Sequence, residues 1–259
     1  RTQNFIVVAM FFAVIFVLAY FQTEKPDMFY HVTYSTEVPC DSRFDPKNVE
    51  TFSWDPRIFV YPNFLTDEEC DHFISKGLSA GLVRSAVAAA PGDKQENTAR
   101  TSYGTFLADD GDIVFRRVES RIAQWAQIPV EHGENFYLLR YEKGQEYKPH
   151  HDFFHRDLPG VEKYLAHGEQ RTVTILMYLD SPKKGGETVF PVLNRKVPAV
   201  KGTAVLFHST HPTAEEDYNS LHGGEPVEEG TKWCLTKWLR LNSHHGRVPM
   251  QQQQKKLTD

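Results

Sequence analysis

Five short apolar runs in the second half of the chain set the limits on its fold. From residue 134 onward the sequence contains ENFYLLRY, RTVTILMYL, ETVFPV, GTAVLFHS and KWCLTKWLRL, separated by clusters of Gly, Pro and Asp. Apolar residues at every second position mark strands that bury one face. Strands this short and this numerous must stack as sheets or close on themselves to hide that face. Two helical patterns precede them. YPNFLTDEECDHFISKGL carries a capping box, Thr66 with Glu69 three residues later, and sets Cys70, Phe73, Ile74, Gly77 and Leu78 on one helical face. A second helix is predicted over 112–127, with Val114, Val118, Ile122 and Trp125 in its stripe. Helices first and strands after predict an α+β, mainly β fold: helices packed on a β-sandwich or barrel. Between the helices, SAVAAAPGDKQENTARTSYG has small residues and turn formers without a period and reads as a mobile loop, a common form of binding lid.

The two ends differ from this middle. Residues 5–21, FIVVAMFFAVIFVLAYF, carry no charge, and no small-x-small cleavage site follows them. They predict an uncleaved signal anchor within 1–25, with the globular part on the lumenal side of a membrane. Residues 26–53 are polar, with Pro26, Pro39 and Pro46, and read as a stem; 54–245 read as one folded domain and 246–259 as a polar tail. A net charge of −5 gives no global basic field, so no nucleic-acid partner is expected. Three cysteines, Cys40, Cys70 and Cys234, cannot all pair and lack metal-type spacing; Cys70 is expected as a buried thiol on the first helix.

The chemistry is concentrated at 141–158, YEKGQEYKPHHDFFHRDL, where His150, His151, Asp152, His155 and Asp157 crowd together. In a strand, residues two apart share a face, which groups His150 with Asp152 and turns His151 away. An imidazole and a carboxylate on one face form half of a two-histidine, one-carboxylate metal site. The third ligand has five candidates: His208, His211, His222, His244 and His245. His222 stands out, at the start of a predicted strand in SLHGGEP and ten residues before Lys232. On the last strand Lys232, Cys234, Thr236, Trp238 and Arg240 share one face, and Trp233, Leu235, Leu239 and Leu241 the other. A lysine aimed into a barrel beside a metal needs an anion, and the distal carboxylate of 2-oxoglutarate suits it. His151 is read as solvent-side, His155 as a local hydrogen-bonding group, Asp157 as a turn residue, and Gly185–Gly186 as a hairpin turn.

Taken in order, YPNFLTDEECDHF, RTSYGTF, YEKGQEYKPHHDFF, QRTVTILMYL, GGETVFP, SLHGGEPV and GTKWCLTKW resemble the prolyl 4-hydroxylases of the plant and algal, collagen-hydroxylase-like type, over most of 54–243. The resemblance implies a double-stranded β-helix (jelly-roll) core with supporting N-terminal helices, preceded by a single membrane anchor. It implies iron(II) on His150, Asp152 and His222, and 2-oxoglutarate on Lys232 with Tyr141 and Thr188. Peptide-facing positions by the same resemblance are Arg100, Ser102, Glu134, Tyr147, Arg171 and Trp238. The implied reaction is hydroxylation of peptidyl proline at C4 in proline-rich secretory-pathway proteins, giving succinate and carbon dioxide, with L-ascorbate as reductant. The implied location is the endoplasmic reticulum or Golgi membrane, single-pass type II, with a lumenal catalytic domain. Two positions depart from the pattern. Arg240 stands where a histidine is frequent, and Glu225 where a cysteine often follows HGG. The same chemistry on lysine and a catalytically silent peptide-binding module are the rival readings; the Tyr141-to-Asp152 motif and a lysine, not an arginine, at 232 favour the prolyl branch over the first, and the intact ligand set with Lys232 counts against the second.

Overall fold

The computed structural model of the chain describes residues 44–85 and 99–244. The expected anchor (1–25), the centre of the expected lid (86–98) and the polar tail (246–259) lie outside the described residues. Among the described residues no helix is long and apolar enough to cross a membrane.

A 3-10 turn, Pro46–Asn48, leads into β1 (Glu50–Trp54) and β2 (Arg57–Tyr61), then α1 (Asp67–Ala80), β3 (Val83–Arg84), β4 (Tyr103–Leu107) and α2 (Ile113–Ala126). Next come β5 (Phe136–Tyr141), β6 (Tyr147–His150), the single-turn α3 (Glu162–Leu165), β7 (Arg171–Asp180), β8 (Lys184–Gly185) and β9 (Thr188–Phe190). The last strands are β10 (Arg195–Val197), β11 (Ala204–His208), β12 (His222–Gly224), β13 (Val227–Glu229) and β14 (Lys232–Arg240). An eight-stranded sheet runs β1-β2-β11-β7-β14-β5-β4-β3, a four-stranded sheet runs β10-β9-β12-β6, and β8 pairs with β13. Every pairing is antiparallel.

The strand period divides the core in two. Phe136 and Leu138 of β5, Ile175 and Met177 of β7, Leu206 of β11 and Leu235 of β14 join Phe73 of α1 and Phe115, Val118 and Ile122 of α2. The alternate residues Tyr137, Leu139, Tyr178, Val205, Phe207 and Cys234 join Phe190 and Val197 of the smaller sheet. Each fully buried large side chain contributes about 1.5–3 kcal/mol, so the larger sheet is held from both faces. Helices behind one sheet of a two-sheet core give the mainly β arrangement expected.

Both helices form where their caps and stripes place them. Thr66 Oγ1 accepts from the Glu69 amide at 3.2 Å, and Glu69 Oε2 accepts from the Thr66 amide at 3.1 Å. Asp112 caps α2 by accepting from the Val114 amide, and Gln127 closes it in a left-handed conformation. Helix α1 lies flat on β5 because position 77 has no side chain: a Cβ there would fall 1.8 Å from Leu138 Cδ2. Two buried ion pairs tie α2 inward. Arg121 donates to both oxygens of Glu69, each at 2.9 Å, and Lys237 Nζ donates to Glu119 Oε1 at 2.6 Å.

Two expectations are corrected. The domain begins before residue 54, since the Phe44 ring lies 5.8 Å from Tyr61 and 6.4 Å from Trp125, and β1 is an edge strand of the larger sheet. An edge strand packs on one side only, so 50–54 carries too little apolar residue to stand out from a polar stem. Gly185 and Gly186 do not form a hairpin between β8 and β9, because β8 pairs with β13. Both take positive φ, 76° and 75°, and a Cβ on Gly185 would meet the Pro226 carbonyl oxygen at 2.4 Å. Glycine is needed there for a close backbone crossing.

Candidate active site

His150 is the last residue of β6 and His222 the first of β12, and antiparallel pairing sets them opposite each other. Asp152 lies beyond the end of β6, in the following bend. Strand alternation therefore does not group it with His150. The bend returns it, and Thr174 Oγ1 of β7 donates to its Oδ2 at 2.7 Å. His150 Nε2 stands 3.5 Å from Oδ1, and His222 Nε2 stands 3.5 Å from Oδ2. Each Nδ1 faces a backbone carbonyl at 3.0 Å, that of Lys148 for His150 and that of Ser220 for His222. A carbonyl only accepts, so both rings carry their proton on Nδ1 and turn the Nε2 lone pair toward Asp152.

Among the described residues this is the only trio of such side chains with ligand atoms gathered closely, all within 4.8 Å of one another. Adjacent ligands about 2.1 Å from an octahedral ion are about 3 Å apart, so the trio fits a metal after a small inward shift. Burial alone would raise the Asp152 pKa; His222, His150 and Arg171 overcome it and hold the carboxyl ionised, far below the usual range. Burial, then the neighbouring His150, lowers His222 to about 4. Neutral imidazoles and an ionised carboxylate are the metal-binding forms. His208, His211 and His244 lie outside the trio, and His245 lies outside the described residues.

The trio lines a half-open cleft together with Lys232, Tyr141 and Thr188. Lys232 opens β14 opposite Tyr141 of β5. It is 3% exposed, and its ammonium lies over the rings of Tyr141 and Tyr178 at 5.4 and 5.5 Å. No hydrogen-bond or ion-pair partner holds that ammonium among the described residues, and burial lowers its pKa. Tyr178 OH donates to Thr188 Oγ1 at 2.8 Å, leaving the threonine hydroxyl proton for an acceptor in the cleft. A buried, unpaired cation beside a free donor fits a carboxylate ligand. Thr174 and Tyr178 were not among the expected site residues. They share one face of RTVTILMYL, and that alternation was their only signal.

Of the expected peptide-facing residues, Arg100, Tyr147 and Trp238 line the same cleft. Arg100 bridges to Tyr147 across the strands, and the Tyr147 ring stacks on His150 at 3.6 Å. Ser102, Glu134 and Arg171 stand behind this wall. Ser102 is fully buried and donates to Ser85 Oγ at 3.1 Å. Arg171 grips Glu134 at 2.7 and 2.8 Å and covers the Trp238 ring at 3.9 Å. Arg240 does not line the cleft, although strand alternation gave it that face. A register shift after Leu239 turns it to Glu134 Oε1 at 2.6 Å and to the carbonyls of Tyr164 and Glu169 at 3.1 and 2.6 Å. His151 is partly buried and bonds the Tyr218 carbonyl at 3.0 Å, so it is not simply solvent-side. His155 makes ring contacts with His151 and Phe153, and Asp157 sits in a turn.

A jelly-roll-like double sheet that brings two histidines, one aspartate and a buried lysine into one cleft defines an iron(II)- and 2-oxoglutarate-dependent oxygenase. Residues 136–240 match the 2OG-Fe(II) oxygenase superfamily. The chain is 41% identical over 220 residues to "Probable prolyl 4-hydroxylase 7" of Arabidopsis thaliana, covering 77% of this chain and 67% of that one. It is 41% identical over 223 residues to "Probable prolyl 4-hydroxylase 10" of the same plant, covering 77% and 75%. Its structure is similar to that of the viral collagen prolyl hydroxylase of Paramecium bursaria Chlorella virus-1 in complex with 2-oxoglutarate: TM-score 0.57, 26% identity, 71% of this chain and 95% of that one. The chain belongs to the prolyl 4-hydroxylase family.

Proposed function

We propose that this protein hydroxylates peptidyl proline at C4 in proline-rich proteins of the secretory pathway, releasing succinate and carbon dioxide. The carrying observation is that one cleft holds His150, Asp152 and His222, the unpaired ammonium of Lys232, and a wall of Arg100, Tyr147 and Trp238. His150, Asp152 and His222 would hold iron(II), which when bound would supply dioxygen activation coupled to oxidation of 2-oxoglutarate. Lys232 neutralises the distal carboxylate of the cosubstrate, and Thr188 and Tyr141 orient it. The aromatic faces of Tyr147 and Trp238 flank the peptide, while Ser102 and the Glu134–Arg171 pair hold that wall in place. L-ascorbate serves as reductant.

The catalytic domain already includes Phe44, and with an anchor within 1–25 ahead of it we place it on the lumenal face of an endoplasmic reticulum or Golgi membrane as a single-pass type II protein. The uncharged run at 5–21 supports that placement.

The test uses protein lacking residues 1–25, supplied with iron(II), 2-oxoglutarate, ascorbate and poly(proline), hydroxyproline-rich-glycoprotein-like or collagen-like peptides. Mass spectrometry is expected to find one added oxygen on proline, matched by succinate. Addition to lysine, or no addition to any of these peptides, would overturn the reading.

A further inference from the structure

On the cleft side of the larger sheet, side chains stand in rows across the strands, because directly paired residues share a face. Lys232 stands opposite Tyr141. In the next row Cys234 meets Leu139, and Leu139 meets Gly104 of β4; in the row after that Thr236 meets Tyr137, and Tyr137 meets Phe106. The first two rows end within the cleft. The third carries its wall outward to the edge of the sheet. Tyr137 is 7% exposed, because Trp238 stacks on its ring at 6.0 Å, the Arg100 guanidinium lies over it at 5.0 Å and Phe106 covers it at 4.4 Å. Position 104 leaves room for that ring: a Cβ there would come within 3.0 Å of Tyr137 Cζ and 2.6 Å of the Leu138 carbonyl oxygen.

Phe106 itself is 56% exposed, and Val83, which pairs with Gly104 and so shares its face, is 67% exposed. A lone exposed aromatic is ordinary on a protein surface. This one touches Tyr137, which in turn touches Arg100 and Trp238 of the peptide-facing wall, and a second bare apolar side chain lies beside it. From Thr174, which holds Asp152, the path through Trp238 and Tyr137 to Phe106 crosses from β7 to β14, β5 and β4. Each strand step is about 4.8 Å. A polyproline II chain advances about 3.1 Å per residue, so roughly five residues span that path. Such a chain is stiff and presents apolar ring faces, which aromatic-lined surfaces bind.

We propose that Phe106, with Val83 beside it, is a distal subsite for the substrate: while one proline stands at the metal, a proline roughly five residues away lies on the exposed Phe106 ring. The occupant is the substrate's own flanking chain, since this surface continues the cleft wall without a break. The inference rests on the prolyl-hydroxylase reading for the nature of that chain. Phe106 lies outside the metal and cosubstrate pockets and acts as a specificity residue, favouring long proline tracts over short ones.

The experiment takes labelled peptides with proline tracts of about three and about ten residues, roughly one and three polyproline II turns. Binding to the full chain, loaded with iron(II) and 2-oxoglutarate, is measured by fluorescence anisotropy without dioxygen. The ratio of short-tract to long-tract Kd is expected to be about three- to tenfold larger in wild type than in Phe106→Ser, and Phe106→Tyr should keep the wild-type ratio. A long tract offers several registers, but it offers the same number to each protein, so that factor cancels in the comparison. Phe106→Ser should leave the short-tract Kd unchanged. An equal ratio in wild type and Phe106→Ser overturns the proposal. So does an equal loss of both peptides, which would make Phe106 a mere support for Tyr137. Should Phe106→Ser not fold, Val83→Ser decides: the ratio should shrink there too, and an unchanged ratio overturns the proposal. Mass spectrometry on the same peptides separates the two readings. Length-dependent binding through Phe106 without oxygen on any proline removes the assigned reaction and leaves the subsite standing; oxygen on proline with equal ratios does the reverse.

Discussion

Replacing Lys232 with methionine should stabilise the cosubstrate-free protein while destroying its cosubstrate site. The ammonium is 3% exposed and meets only the ring faces of Tyr141 and Tyr178, beyond 5 Å. An effective desolvation penalty of several kcal/mol per buried ion is offset by two cation–π contacts of about 0.5–2 kcal/mol each. Methionine is unbranched and fills the same channel, so Lys232→Met should gain about 1–3 kcal/mol. For a domain of this size that raises Tm by about 2–12 °C. The same change removes a desolvated charge pair with the distal carboxylate, and such truncations cost about 2–5 kcal/mol. Affinity for 2-oxoglutarate should then fall between about 30-fold and a few thousandfold. Burial lowers the lysine pKa below 10.5 in the folded state, so the unfolded chain binds the proton more readily. Wild-type stability should therefore rise with pH from the lowered folded value up to 10.5, and the variant should lose that rise. Thermal melts of both proteins across pH, with and without 2-oxoglutarate, read every part of this. A variant that melts lower than wild type, or that gains as much Tm from a given 2-oxoglutarate concentration as wild type does, would refute the reasoning.

Thr174→Val removes the 2.7 Å hydrogen bond to Asp152 Oδ2, and iron(II) affinity, read by anaerobic metal titration, should drop about 10–100-fold. Lys237→Met removes the 2.6 Å ion pair to buried Glu119 and should lower stability in urea unfolding; adding Glu119→Leu should recover most of the loss, and simple additivity would count against the pair. Burial and then Arg57 lower His208 to about 4, so the unfolded state takes up a proton first and stability should fall as pH drops from 6.5 toward 4. His208→Leu should flatten that acid limb in thermal melts recorded across the same range.

Local information alone determined much of this protein. The Thr66–Glu69 box and the Val114, Val118, Ile122 stripe located both helices, because caps and 3.6-residue periods act within one segment. The alternating runs located β5, β7, β11 and β14, and ordered motifs disclosed the family. Other features needed the fold. Five histidines were candidates to join His150 and Asp152, and His222 is the one brought to them because β12 pairs with β6 at the register that sets it against His150. Asp152 joins them through a bend and the Thr174 hydroxyl, where alternation had supplied a strand. Arg240 leaves the cleft wall because the β14–β7 register shifts after Leu239. Glu69 with Arg121, Glu119 with Lys237 and Glu134 with Arg171 meet across separations of 52, 118 and 37 residues. A charged residue in sequence reads as solvated until its partner is known. Only the tertiary structure brings that partner close, because burial of two charges is set by packing and not by the residues beside either one.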